Sequence, residues 1–95
     1  MVGVIWAPKA EQDLYQIIDY IAQDSPSYAS LFYDQLHEKV KNLSNFPLMG
    51  RKVPELDDSN IREIIIGNYR LIYRISNEAL QIVRIIHGSR ILDFK

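Results

Sequence analysis

The sequence predicts an α+β fold in the order β-α-α-β-β-β, an antiparallel sheet with an N-terminal helical hairpin packed on one face. Three observations predict it. Apolar residues recur at helical spacing through the first half of the chain, in two stretches separated by Ser25-Pro26. Between Ile61 and Arg90 the pattern changes to three β-branched runs joined by two short turns, in IREIIIGNYRLIYRISNEALQIVRIIHGSR. No internal repeat, low-complexity tract or linker interrupts the 95 residues, so residues 1–95 are expected to form a single domain.

Val2 to Trp6 reads as a short strand. Pro8 then sits where the first helical turn tolerates proline, and Ala10, Leu14, Ile17, Ile18 and Ile21 form one amphipathic stripe. Ser25-Pro26 repeats the start signal, with serine as N-cap and proline at the first helical position. Ala29, Phe32, Tyr33, Leu36, Val40 and Leu43 give the second stripe, which Phe46-Pro47 and Gly50 end. The short connection makes the helices an antiparallel pair. Arg51 to Asn60 is polar, contains Pro54 and reads as a loop or irregular edge. Gly67-Asn68 is a two-residue hairpin signal, and Ser76-Asn77-Glu78-Ala79 a second turn leading into Leu80–His87.

Composition narrows the classes. The chain is 47% hydrophobic and 24% charged, the proportions of a globular protein. It contains no cysteine, so neither a disulfide framework nor a thiolate metal site is available. No run approaches a membrane span and no signal-like start is present, so a soluble, cytoplasmic protein without membrane partners is expected. The net charge of −1 is too small for bulk attraction to nucleic acid, but residues 1–50 sum to −3 and residues 51–95 to +2. The basic half is the strand half. Arg62, Arg70, Arg74, Arg84 and Arg90 run through apolar strands, which suits presentation of charge to an anionic partner.

The turns fix a register, because side chains alternate faces with period two. A turn at Gly67-Asn68 pairs Ile66 with Tyr69, Ile64 with Leu71 and Arg62 with Tyr73. A turn centred on Asn77-Glu78 pairs Ile75 with Leu80, Tyr73 with Ile82 and Arg70 with Ile85. The helix-covered face then holds Ile64, Ile66, Tyr69, Leu71, Tyr73, Ile75, Leu80, Ile82 and Ile86, interrupted by Arg62 and Arg84. These two arginines must sit at the rim, snorkel, or pair with acidic helix residues. The opposite face, left open, holds Ile61, Glu63, Ile65, Arg70, Ile72, Arg74, Gln81, Val83, Ile85 and His87. There Arg70 and His87 become diagonal neighbours within reach of a shared ligand, and Glu63 lies diagonally from both Arg70 and Arg74. A solvated surface that discourages edge pairing explains such charges equally well. Isoleucine and valine among the arginines instead suit a protein partner or a bound RNA.

His87, at a strand end before Gly88, is of the residue type suited to general acid–base chemistry, although a structural histidine is the commoner reading. His37 within LHEKV reads as a solvated helix residue. Tyr15, Tyr20, Tyr28 and Tyr33 read as packing groups with wet hydroxyls. No His/Asp/Glu cluster has metal-ligand spacing, and no phosphate loop or nucleophile motif is present, so neither metal nor cofactor is expected.

The order of helix hairpin, FPLMGRKVPEL, IREIIIGNYRLIYRI and IVRIIHGSR resembles the ParE/RelE superfamily of type II toxins, from Pro8-Lys9-Ala10 through Arg90. The similarity is strongest at Phe46-Pro47, Gly50-Arg51, Arg62-Glu63, Gly67-Asn68-Tyr69-Arg70, Tyr73-Arg74 and His87-Gly88-Ser89-Arg90. It implies a toxin of a plasmid-stabilisation or addiction module, neutralised by a cognate antitoxin with an acidic, partly apolar wrapping segment. Arg51, Glu63, Arg70, Arg74, His87 and Arg90 would be its antitoxin- or target-binding residues.

The superfamily divides by target. RelE-like members are ribosome-dependent mRNA endonucleases, and under that resemblance Arg70 and Arg90 would stabilise phosphate charge while His87 moves a proton. Only Lys52 and Lys95 are lysines after position 50, and the tail Ile91–Lys95 has no tyrosine, both departures from the ribonuclease pattern. ParE-like members are associated with DNA gyrase. The Ser25-Pro26 opening of the second helix, the FP-x-x-GR segment and the RIIHGSR ending look ParE-like. The favoured expectation is therefore a gyrase inhibitor that acts by binding. An mRNA endonuclease is the alternative, as is a non-toxic member that retains antitoxin binding.

Overall fold

The computed structural model describes residues 2–92. Strand β1 (Gly3–Trp6) leads into helices α1 (Pro8–Asp24) and α2 (Pro26–Asn45), then a 3₁₀ turn over Pro47–Met49. Strands β2 (Arg51–Lys52), β3 (Ile61–Ile66), β4 (Tyr69–Ile75) and β5 (Ala79–His87) follow. They form one five-stranded sheet in the order β1-β5-β4-β3-β2. No helix among the described residues is long and apolar enough to cross a membrane.

The helix boundaries follow the sequence signals. Pro8 and Pro26 occupy first turns, where the missing N–H costs nothing, and Ser25 Oγ accepts the Tyr28 N–H at 3.1 Å. Both apolar stripes face the sheet. Leu14, Ile17, Phe32, Leu36, Val40 and Leu43 meet Ile66, Leu71, Tyr73, Leu80, Ile82 and Ile85 in the main core. Each such side chain, fully buried, contributes roughly 1.5–3 kcal/mol. The four helix tyrosines do not join it: Tyr15, Tyr20, Tyr28 and Tyr33 are 43–67% exposed. Their stripes are already filled by smaller residues, which leaves the tyrosines on the flanks.

The sheet is mixed where a wholly antiparallel one was expected. β1 lies parallel to β5, Gly3 opposite Ala79 and Trp6 opposite Ile82. No turn dictates this pairing, because the partners lie far apart in sequence, with both helices and strands β2, β3 and β4 between them. The polar segment after Gly50 contributes the short edge strand β2, paired with Arg62 and Glu63. Gly50 is pressed against Tyr73, whose hydroxyl donates to the Pro47 carbonyl at 2.7 Å and accepts the Gly50 N–H at 2.9 Å. A Cβ at position 50 would fall 2.5 Å from that hydroxyl and 2.6 Å from the Glu63 carbonyl, so the close approach requires glycine here.

The β3–β4 hairpin has the expected register throughout, with Gly67 at φ 58° in its turn. In the β4–β5 pair the register holds from Ile75–Leu80 to Tyr73–Ile82 and then slips. Ile72 faces Arg84, and Arg70 faces Ile86 instead of Ile85. A β-bulge at Val83 inserts one residue into β5. Beyond it every side chain changes face: Ile85 enters the main core, and Ile86 turns to the other side.

That other side is not open. Val53 and Leu56, from the segment between β2 and β3, and Leu92, after β5, pack on Ile61, Ile72 and Ile86 as a second small core. Of the sheet residues expected on an open face, Ile65 is 50% exposed and Arg74 is exposed, whereas Ile61, Glu63, Arg70 and Ile72 are buried.

Candidate functional site

The second face is organised around two carboxylates and two guanidinium groups. Glu63, on β3, is 1% exposed. It accepts from Arg70 Nε at 2.8 Å and from Arg51 Nε at 2.6 Å, so Arg70, not Arg74, is its strand partner. Glu55 completes the set from the loop, bidentate to Arg70 at 2.7 Å on each oxygen. Arg70 also donates to the Arg90 carbonyl at 2.9 Å. All five N–H donors of this guanidinium are therefore occupied: Nε on Glu63, Nη1 on Glu55 and Arg90, Nη2 on Glu55 and Glu63.

The charges lock one another. Glu55, with Glu63 behind it, holds the Arg70 guanidinium protonated more firmly than usual, against the opposing effect of burial. In return Arg70, and next the Leu92 N–H at 2.9 Å, pull the Glu55 carboxyl down from 4.5 to about 2. Since the folded pKa is depressed, the stability it contributes is complete above the ordinary value and is lost as pH falls through about 2. Glu55→Gln should therefore lower the urea midpoint at neutral pH, with the gap from wild type closing between about pH 4.5 and about pH 2. A gap that stays constant across that window would contradict the assignment.

His87 is on the other side. The bulge carries it to the helix face, where its ring meets Tyr69 edge-on with centroids 5.6 Å apart. Arg70 and His87, expected to share a ligand, are thus separated by the sheet. His87 Nδ1 accepts the Ser89 N–H at 3.2 Å and lies 2.7 Å from the Ser89 hydroxyl. His87 and Arg90 border a cleft of about 220 Å³ between α1 and the end of the sheet, with Asp13, Tyr20 and Tyr69 on its walls. Burial, and then Tyr20 and Tyr28, push the Tyr69 phenol up.

The two arginines left unplaced by the sequence are also accounted for. Arg62 reaches the rim and donates to the Gly50 and Ser59 carbonyls at 2.9 and 3.1 Å. Arg84 pairs with an acidic helix residue, Asp13, at 2.8 Å. Asp13 also accepts the N–H of Ile85 at 3.0 Å, a donor beyond the point where β1 stops pairing. Glu55 and Asp13 escaped the sequence reading. Asp13 had a signal, since it interrupts the apolar stripe at Ala10, Leu14 and Ile17. Glu55 had none. His37, exposed on α2, lies 4.4 Å from the Tyr33 ring and 6.1 Å from the Trp6 ring, centroid to centroid. Among the described residues no group of acidic or histidine side chains is arranged to hold a metal ion.

The architecture and sequence have known counterparts. The ParE toxin family of type II toxin-antitoxin systems (parDE) matches residues 4–92. The chain belongs to the ParE toxin family. Toxin RelE2 of Caulobacter vibrioides is 33% identical to this ParE-family chain over 92 residues, covering 96% of the chain and 100% of that protein. The chromosomal ParDE system of P. aeruginosa superposes with a TM-score of 0.73 at 26% identity, over 92% of this chain and 96% of that one. The RelBE2 toxin-antitoxin complex of Mycobacterium tuberculosis shares the fold, with a TM-score of 0.61 at 22% identity over 90% of this chain and 96% of that one. The chain is accordingly a type II toxin of the ParE/RelE superfamily, with the two helices and mixed five-stranded sheet of its relatives.

Proposed function

We propose that this ParE-family toxin is held in check by a cognate antitoxin and, when released in the cytoplasm, stops growth by binding DNA gyrase and not by cutting mRNA. The supporting observation is the saturation of Arg70. A group that stabilises a developing phosphate charge must have donors aimed at the place where that charge appears. Arg70 has given all of its donors to Glu55, Glu63 and the Arg90 carbonyl, and is 5% exposed. His87 lies across the sheet from it, so the two do not converge on one scissile bond.

Of the residues expected to meet a partner, Arg51, Arg74, His87 and Arg90 are exposed and available for recognition. Glu63 and Arg70 support that surface from beneath, Glu63 by fixing the Arg51 guanidinium. An antitoxin is further supported by the toxin-antitoxin systems among the structural relatives.

The purified toxin should block gyrase supercoiling or trap cleaved DNA, and leave translated mRNA intact. In-frame cuts in ribosome-bound mRNA would overturn this reading in favour of the ribonuclease. Undisturbed growth on induction without antitoxin would overturn both and leave a member that binds antitoxin without poisoning the cell.

A further inference from the structure

Tyr20 on α1, Tyr28 on α2 and Tyr69 on β4 come from three elements, yet they wall one hollow of about 210 Å³ at the junction of the helices. Ile21, Asp24 and Asn68 complete its lining. The rings are positioned by contacts of their own. Tyr69 meets Phe32 and His87 edge-on, with centroids 5.5 and 5.6 Å away. Tyr28 places its hydroxyl over the β3–β4 turn, 3.6 Å from where a Cβ would stand at Gly67. Tyr20 and Tyr28 add to the effect of burial in pushing the Tyr69 phenol up, so the three phenols lie within electrostatic reach of one another.

The hollow is negative in sign. Its walls contain no lysine, arginine or histidine. The C-terminus of α1 and the N-terminus of α2 meet at Ser25, so their opposite dipoles offset and Asp24 sets the charge. Among the described residues no cation pairs with Asp24, and the last turn of α1 has no basic residue. An anion is therefore repelled. A metal ion lacks ligands, since no second acidic or histidine side chain joins Asp24 among the described residues. A cation that rests on ring faces meets both conditions, because the face of an aromatic ring is its negative side.

The type of cation follows from the exposure of the walls. Tyr20 is 67% and Tyr28 46% exposed, so the hollow is open to water. A primary ammonium is strongly hydrated and gains little by leaving water at such a site. A fully alkylated ammonium has no N–H to solvate, and it spreads its charge over the methyl groups that touch the rings. Ile21 offers those methyl groups an apolar surface. The volume lies below the roughly 300 Å³ at which drug-sized sites begin and suits a single head group.

We propose that Tyr20, Tyr28 and Tyr69 form an aromatic cage, completed by Asp24, that binds a quaternary ammonium ion. The cage is a small-cation site on the helix side of the sheet, apart from the Arg70 cluster, and it does not depend on which target the toxin poisons.

The test is a titration of the isotopically labelled toxin with choline, followed by the shifts of its amide resonances. Choline should move the Asp24, Ser25, Asn68 and Tyr69 amides saturably, with a Kd in the millimolar range or tighter. Dimethylbutanol, in which carbon replaces the charged nitrogen, should not. Tyr28→Ala and Asp24→Asn should each weaken choline binding about fivefold or more, whereas Tyr28→Phe, which keeps the ring face, should bind as wild type does. Both positions are exposed, so these variants keep the fold. Tyr15→Ala, at an equally exposed tyrosine of α1 outside the hollow, should leave binding unchanged. Absence of a saturable shift, or equal binding of the neutral alcohol, would overturn the cation site. Shifts confined to other amides, or undiminished binding by Tyr28→Ala and Asp24→Asn, would overturn its location. The toxin-antitoxin reading stands under either result.

Discussion

Glu63→Ala should destabilise the fold by about 3–5 kcal/mol, the cost of removing one partner from a buried ion pair. Glu63 has no exposed side-chain surface, and its loss strips Arg70, itself 5% exposed, of two hydrogen bonds that share Glu63 Oε1. Arg51 loses its carboxylate at the same time, although its side chain is 63% exposed and returns to water at little cost. For a domain of this size the loss is a large share of the total stability and lowers Tm by roughly 15 °C or more. A double replacement, Glu63→Leu with Arg70→Met, should recover part of it, because the two most buried charges go together and Glu55, left without Arg70, keeps 22% of its side chain exposed to water. Urea denaturation of the three proteins decides the matter. A Glu63→Ala midpoint within error of wild type would refute the cluster as a structural element, and a double variant as unstable as the single would show that the charges themselves are needed.

Asp13→Ala should cost about 2–4 kcal/mol by a different route. The carboxylate serves two donors, and they are not equivalent. Arg84 has 20% of its side chain exposed and can turn to solvent, whereas the Ile85 N–H belongs to a residue 2% exposed and stays orphaned. Asp13→Asn, which keeps an acceptor for that N–H, should therefore lose only about 1–2 kcal/mol, and Arg84→Ala less than Asp13→Ala. If Arg84→Ala proves as damaging as Asp13→Ala, the ion pair and not the backbone acceptor is the dominant contact. Amide exchange at Ile85 gives a local reading of the same comparison.

The contrast between these sites shows where the sequence was informative. Signals that act between near neighbours were all legible. Ser25-Pro26 marks the helix junction, and Gly67-Asn68 sets the β3–β4 register along its whole length. The ParE-like signature, resting on such local segments, led to the right family. The second hairpin failed midway because a turn dictates register only until a residue is inserted, and nothing in Ile82-Val83-Arg84-Ile85 announces the bulge. A clue lay in its consequence: the straight register put Arg84 on the core face among apolar side chains, whereas after the insertion it stands opposite Ile72 and its guanidinium reaches Asp13. The cover over the second face was illegible for another reason. Val53, Leu56 and Leu92 come from segments with no period, so no pattern says which surface they pack on. Arg70 looked available only because Glu55 was out of view.

The parallel pairing of β1 with β5 sets a schedule for the growing chain. Gly3–Trp6 leave the ribosome well before their partners at residues 79–82 are made. Both helices and the first hairpin are made before the strand that joins β1 to the rest of the sheet, since β5 lies between β1 and β4. Long-range pairings of this kind form late and slowly. The sheet of this toxin thus stays divided until β5 has been added, and the surfaces on its two faces are completed together.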